Sequence, residues 1–82
     1  MIEIKQFVKD LHYPPKREGF NTIVMISNTF MHYPYSENRA DAVREGVLKA
    51  KQYQREERQG IRVYVYDYST DNLEEIDFTT FY

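Results

Sequence analysis

ENRADAVREGVLKAKQYQREERQGIRVYVYDY, residues 37–68, is the stretch whose reading decides the fold. Its first part has the period of a helix and its last eight residues have the period of a strand. From Glu37 to about Gln59, Ala40, Val43, Val47 and Ala50 step by three, four and three, which places them on one helical stripe. Tyr53 extends the stripe, and Arg44, Glu45, Lys49, Lys51, Arg55, Glu56 and Arg58 occupy the other faces. Ser36 and Asn38 are both candidate N-caps, and Asp41 suits the positive end of the helix dipole. Gly60 is the expected stop. Gly46, mid-helix, costs about 1 kcal/mol relative to alanine and is expected to mark a close approach of helix to sheet.

Ile61 to Tyr68 then alternates. Ile61, Val63 and Val65 face one way, and Arg62, Tyr64, Tyr66 and Tyr68 the other. Upstream, Phe20 to Ser27 contains the unbroken run Ile23-Val24-Met25-Ile26, expected to be a central strand covered on both faces. Thr29 to Tyr33 reads as its hairpin partner, with Asn28 in the tight turn. Ser69-Thr70-Asp71-Asn72 reads as a turn, and Leu73 to Phe78 as a returning strand with Ile76 and Phe78 inward. Thr79 to Tyr82 is a strand extension or a loose tail.

The first segment fits two templates. Ile2 and Ile4 alternate with Glu3 and Lys5 as in a strand, whereas Ile4, Phe7, Val8 and Leu11 follow helical spacing. The helix accounts for more apolar positions, with Pro14-Pro15 expected to end it and Lys16 to Gly19 to form a charged turn. The expected fold is α+β: a three- or four-stranded, mainly antiparallel sheet, one long helix on one face, and a short N-terminal helix. The 82 residues make a single domain, 1–82. So small a chain has little room for a deep, dry cavity, which favours a binding module or a subunit that completes its core by pairing.

Composition narrows the chemistry. Hydrophobic content is 41%, and 11 basic against 13 acidic residues leave a net charge of −2, an ordinary globular balance. No apolar run approaches the ~20 residues of a membrane helix, and the mixed N-terminus does not read as a signal peptide. The chain has no cysteine, so disulfides, thiolate zinc and cysteine nucleophiles are excluded, and a cytoplasmic setting fits. Its three glycines form no phosphate-cradling cluster. His12 and His32 lie in similar tripeptides, His12-Tyr13-Pro14 and His32-Tyr33-Pro34, but lack metal-ligand spacing, so no metal and no cofactor are expected. Ser27, Ser36 and Ser69 sit in no nucleophile elbow. Glu56-Glu57 and Glu74-Glu75 are neighbours that diverge on a helix or strand, so they form no acid/base dyad. No catalytic residue is assigned.

The candidate site is therefore a surface. Tyr64, Tyr66 and Tyr68 with Arg62 form an aromatic row of the kind that dominates protein-binding hot spots. The competing reading is structural: tyrosine favours strands, and the N-terminal helix can cover this face with Ile4, Phe7, Val8 and Leu11. From Val63 to Tyr82 five acids and no cations give −5, whereas residues 1–62 carry 11 cations against 8 acids, or +3. An acidic edge beside the aromatics disfavours nucleic acid. Glu74, Glu75 and Asp77 instead suit a basic partner or a solvated edge that resists aggregation.

The expected function is a small non-catalytic interaction module. It would bind a protein partner, or itself, through Arg62, Tyr64, Tyr66, Tyr68, Glu74, Glu75 and Asp77. Smallness is compatible with an accessory or inhibitor protein, including one made by a phage. The alternatives are a module that sequesters a nucleotide or small metabolite between tyrosines, or a small enzyme whose site forms between subunits. The strand–helix–strand centre is common to many folds, and no motif in it is specific to one family.

Overall fold

The long helix, α2, runs from Arg39 to Arg55. A computed structural model describes residues 3–12, 14 and 16–81; the readings that fall on Met1, Ile2, Tyr13, Pro15 and Tyr82 lie outside the described residues. Of the two candidate caps, Asn38 is used: its side-chain oxygen accepts the Asp41 N–H at 2.9 Å. The far end departs from expectation. The helix closes four residues before Gln59, in a Schellman arrangement where Arg58 N–H donates to the Tyr53 carbonyl and Glu57 N–H to that of Gln54. Glu57 takes the left-handed conformation this needs, φ 62°. Gly60 lies further on, in the turn into the next strand, where its carbonyl accepts the Ser27 N–H at 2.9 Å. A side chain in the left-handed region costs about 1–2 kcal/mol. Glu57→Gly should therefore stabilise the protein by about 1 kcal/mol and raise its melting temperature by roughly 4–8 °C. A lowered melting temperature would refute the left-handed cap.

Strands β1 (Phe20–Ile26) and β4 (Ile61–Asp67) pair antiparallel along their whole length, from Phe20↔Asp67 to Ile26↔Ile61. β5 (Asn72–Ile76) returns beside β4, with Tyr64 opposite Glu75 and Val63 opposite Ile76. On the far side of β1 lie β2 (Thr29–His32) and the two-residue β3 (Tyr35–Ser36), giving a five-stranded antiparallel sheet ordered β2-β1-β4-β5. The β1–β2 turn is Ser27-Asn28, with Ser27 rather than Asn28 at positive φ, 54°. The register slips between Val24 and Met25, a bulge that twists this edge. Pro34 separates β2 from β3, and its carbonyl still accepts the Thr22 N–H at 2.9 Å.

Each face of the sheet carries a helix. On one, α2 buries Ala42, Val47, Ala50 and Tyr53 against Val24, Val63, Val65 and Ile76. A Cβ at Gly46 would lie 2.5 Å from Val63 Cγ1 and 3.0 Å from Thr22 Cγ2, so the glycine does mark the close approach. This contact turns the helix somewhat from its expected phase, although Val47, Ala50 and Tyr53 of the expected stripe are buried. Ala42, Gly46 and Ala50 face the sheet, while Ala40 is exposed and Val43 half-buried. Small residues win the contact because only they let the backbones approach.

On the other face, Ile4–Asp10 forms the short helix α1, as the four-residue apolar pattern implies. Val8 is fully buried against Ile23, Met25 and Tyr66, and Phe7 stacks on Phe30 with ring centroids 3.7 Å apart. β1 is thus covered on both faces. Residues 77–81 form a 3-10 turn, Phe78–Thr80, beside α2 rather than extending β5.

Candidate functional site: the tyrosine face and its open corner

The alternation of β4 does put Tyr64, Tyr66 and Tyr68 on the face opposite α2, but α1 covers most of that row. Tyr66 is only 2% exposed. Its hydroxyl donates to Asp71, whose carboxylate also lies 3.7 Å from Lys5 and 3.4 Å from Lys9. Burial first, then the bond to Asp71, makes the Tyr66 hydroxyl much harder to ionise than a free phenol. The same bond and the two lysines hold the Asp71 carboxyl below its ordinary value. Of the two readings of the tyrosine row, Tyr66 follows the structural one: α1 seals it in the core.

Tyr68 is half-buried. Its hydroxyl lies 3.3 Å from Asn21 Oδ1 and 3.4 Å from the Val8 carbonyl, and burial pushes it up to about 12. Asn21, which the sequence did not single out, is fully buried and organises this region. Its amide donates to the carbonyls of Tyr33 and Thr22 at 3.0 Å each, and its oxygen also lies 3.2 Å from His12 Nε2. His12 packs edge-on against Tyr35 and Tyr68. This network ties the chain after α1 to β1 and β4, so Tyr68 and His12 serve as anchors.

His32 lies on the opposite face of the sheet, 4.0 Å from Glu45. Burial, helped by Lys49 and opposed by Glu45, lowers its pKa. The two histidines are therefore not neighbours, and no group of three or more metal-ligating side chains occurs among the described residues.

The acidic edge also divides. Glu74 is held by Arg39 through a two-pronged ion pair with contacts at 2.8 and 2.9 Å. Asp77 caps the 3-10 turn, accepting from the Thr79 N–H at 3.1 Å and its hydroxyl at 2.5 Å. Glu75 alone of the three is exposed without such a task among the described residues, directly across from Tyr64. Arg62 is exposed beside them, its guanidinium 3.4 Å from the Tyr64 hydroxyl.

Of the seven residues in the expected site, Arg62, Tyr64 and Glu75 meet at one accessible corner. Arg62 and Tyr64 also wall a cleft of about 410 Å³, whose other lining includes Ile4, Met25 and the Ser27-Asn28 turn. Leu48 and Phe81, two exposed apolar residues the sequence reading passed over, line a separate groove on the α2 side. A leucine inside an amphipathic helix gives no sign of its exposure until the helix phase is known. The chain matches no family model, no curated protein and no solved structure.

Proposed function

We propose that this chain is a small, non-catalytic interaction protein that binds a protein partner at the Arg62–Tyr64–Glu75 corner. The observation that carries the reading is the cross-strand triplet itself. An aromatic ring stands beside a cation and across from a carboxylate, next to a cleft that Met25 also lines. Tyrosine and arginine are among the side chains that contribute most to protein interfaces. The nearby Glu75 and the absence of further cations downstream make a phosphate backbone a poor fit. Such a protein suits a reducing cytoplasm. A second reading takes the cleft itself as the site, where Tyr64 offers a ring face to a nucleotide or metabolite.

Affinity capture with wild type, Tyr64→Ala and Arg62→Glu tests the reading. Both variants should weaken the partner by about 2 kcal/mol, roughly 30-fold, with Arg62→Glu melting within a few degrees of wild type and Tyr64→Ala lowered only by the roughly 4–8 °C that about 1 kcal/mol represents. Glu75→Gln should mainly slow association and flatten its salt dependence. A partner retained equally by all variants defeats the proposal. A ligand panel that raises the melting temperature of wild type but not of Tyr64→Ala would select the second reading.

A further inference from the structure

The sheet ends on two different edges. At one end β2 is blunted: its register with β1 slips between Val24 and Met25, and Pro34 separates it from β3. At the other end β5 pairs with β4 from Asp67↔Asn72 to Val63↔Ile76 without a slip. The outer side of β5 pairs with no described strand.

The register fixes which backbone groups that edge offers. Thr22 N–H donates to the Pro34 carbonyl, away from β4, and Tyr68 N–H donates to the Gly19 carbonyl on the β1 side. With Thr22 opposite Val65, the even-numbered residues of β4 therefore bond to β1 and the odd-numbered ones to β5. Val63, Val65 and Asp67 engage Ile76, Glu74 and Asn72, so the N–H and C=O of Leu73 and Glu75 point outward, toward no described strand. Groups in this position accept an added strand.

Charge decides what kind of strand fits. Glu75 shares the Tyr64 face, Asp77 follows two residues on, and neither has an ion-pair partner among the described residues. Glu74, on the other face, is already matched by Arg39 at 2.8 Å. A second copy fits poorly. Two β5 edges laid together antiparallel set Glu74 and Glu75 of one against the same residues of the other, and like charges across a strand pair repel. An extended segment with lysine or arginine at alternate positions meets Glu75 and Asp77 instead, while Arg62 stands one strand further in, on β4.

We propose that the partner of the corner docks as a sixth strand: an extended, basic segment that hydrogen-bonds to Leu73 and Glu75 along the outer edge of β5. This rests on the reading of the corner as a protein-binding site and names the chemistry of what it binds.

Amide hydrogen exchange and shift mapping by NMR on the full chain test it, with a peptide of alternating lysine and valine and its glutamate–valine counterpart as probes. Without peptide, the Leu73 and Glu75 amides should exchange at least about 10-fold faster than those of Glu74 and Ile76. At low salt the lysine–valine peptide should slow both by about 10-fold or more and shift Tyr64, and the glutamate–valine peptide should bind at least about 10-fold more weakly. Glu75→Gln removes the charge; Glu75→Pro also removes the outward N–H, with no ladder bond to β4 lost. Peptide affinity should fall about 3-fold in the first and about 10-fold or more in the second. Slow exchange at Leu73 and Glu75 that fades on dilution of the chain alone gives the edge to a second copy and overturns the proposal. Binding of neither peptide, or equal binding of both, overturns it as well. Shifts at Arg62 and Tyr64 without protection at Leu73 and Glu75 overturn the added strand and leave the corner standing. The corner itself fails only if partner capture survives Tyr64→Ala and Arg62→Glu.

Discussion

Replacing Tyr66 with alanine should remove about 4 kcal/mol of folding stability, whereas the same change at Tyr64 should remove about 1 kcal/mol. The two residues are neighbours on one strand face, and their surroundings differ. Tyr66 lies among Val8, Ile23 and Met25, where deleting the ring leaves a cavity and also removes the hydrogen bond to Asp71. Tyr64 keeps an open side toward the cleft. An 82-residue domain has roughly 4–12 kcal/mol in hand, so the Tyr66 change should lower the melting temperature by about 15–30 °C. Chemical denaturation of both variants checks it, and equal losses would mean that α1 does not cover the row as described.

The same residues give a pH signature. The Tyr66 and Tyr68 hydroxyls are harder to ionise folded than unfolded. Their stabilising contribution is therefore complete below about pH 10, where unfolded phenols are still protonated, and falls as the pH rises toward Tyr68's value of about 12. Tyr66→Phe should make that alkaline decline shallower.

Gly46→Val should be comparably damaging, at about 3 kcal/mol or more. An added Cβ meets Val63 Cγ1 at 2.5 Å, and Val63 is a fully buried, β-branched residue on a central strand that has no room to rotate away. The helix must back off the sheet, stretching the bond at 2.6 Å from the Thr22 hydroxyl to the Ala42 carbonyl. Helix propensity acts in the opposite direction, since valine suits a helix better than glycine by only a few tenths of a kcal/mol, and the clash outweighs it. A double-mutant cycle isolates the contact. Gly46→Ala and Val63→Ala together should cost at least 1 kcal/mol less than the sum of the two singly. Strict additivity would show that the close approach lies elsewhere.

Some of this architecture was legible before any coordinates. The alternation of Ile61 to Tyr68 is a local property: successive side chains on a strand must face opposite ways, and the apolar members must find a covered face. The unbroken run at Ile23 to Ile26 likewise called for cover on two sides and received it from α1 and α2. A cap at Ser36 or Asn38 and Gly46 as the point of closest approach follow from backbone chemistry within a few residues, and the structure selects Asn38. The α2 phase followed only in part: Val47, Ala50 and Tyr53 are buried as the stripe implied, but Ala42 and Gly46 rather than Ala40 complete the contact. Ala40 and Val43 fit a helical stripe as well as Ala42 and Gly46 do, and the choice was made by Val63 and Thr22 on other strands. The helix stop was misplaced for a related reason, because the Tyr53 and Gln54 carbonyls were capped through Glu57 and Gly60 was taken by a bond from Ser27.

The candidate site depended still more on tertiary contacts. Local periodicity could place the tyrosines on a common face, but it could not say which of them would remain in contact with water. That was decided by α1, some sixty residues earlier in the chain, which covers Tyr66, ties up Tyr68 and leaves Tyr64 partly open to the cleft. Arg39 likewise claims Glu74 from thirty-five residues away. The sequence by itself determined which residues share a face, because chirality and backbone geometry set that within a few positions. Only the tertiary structure decided which faces stay open, because cover is supplied by segments whose distance along the chain carries no information about their distance in space.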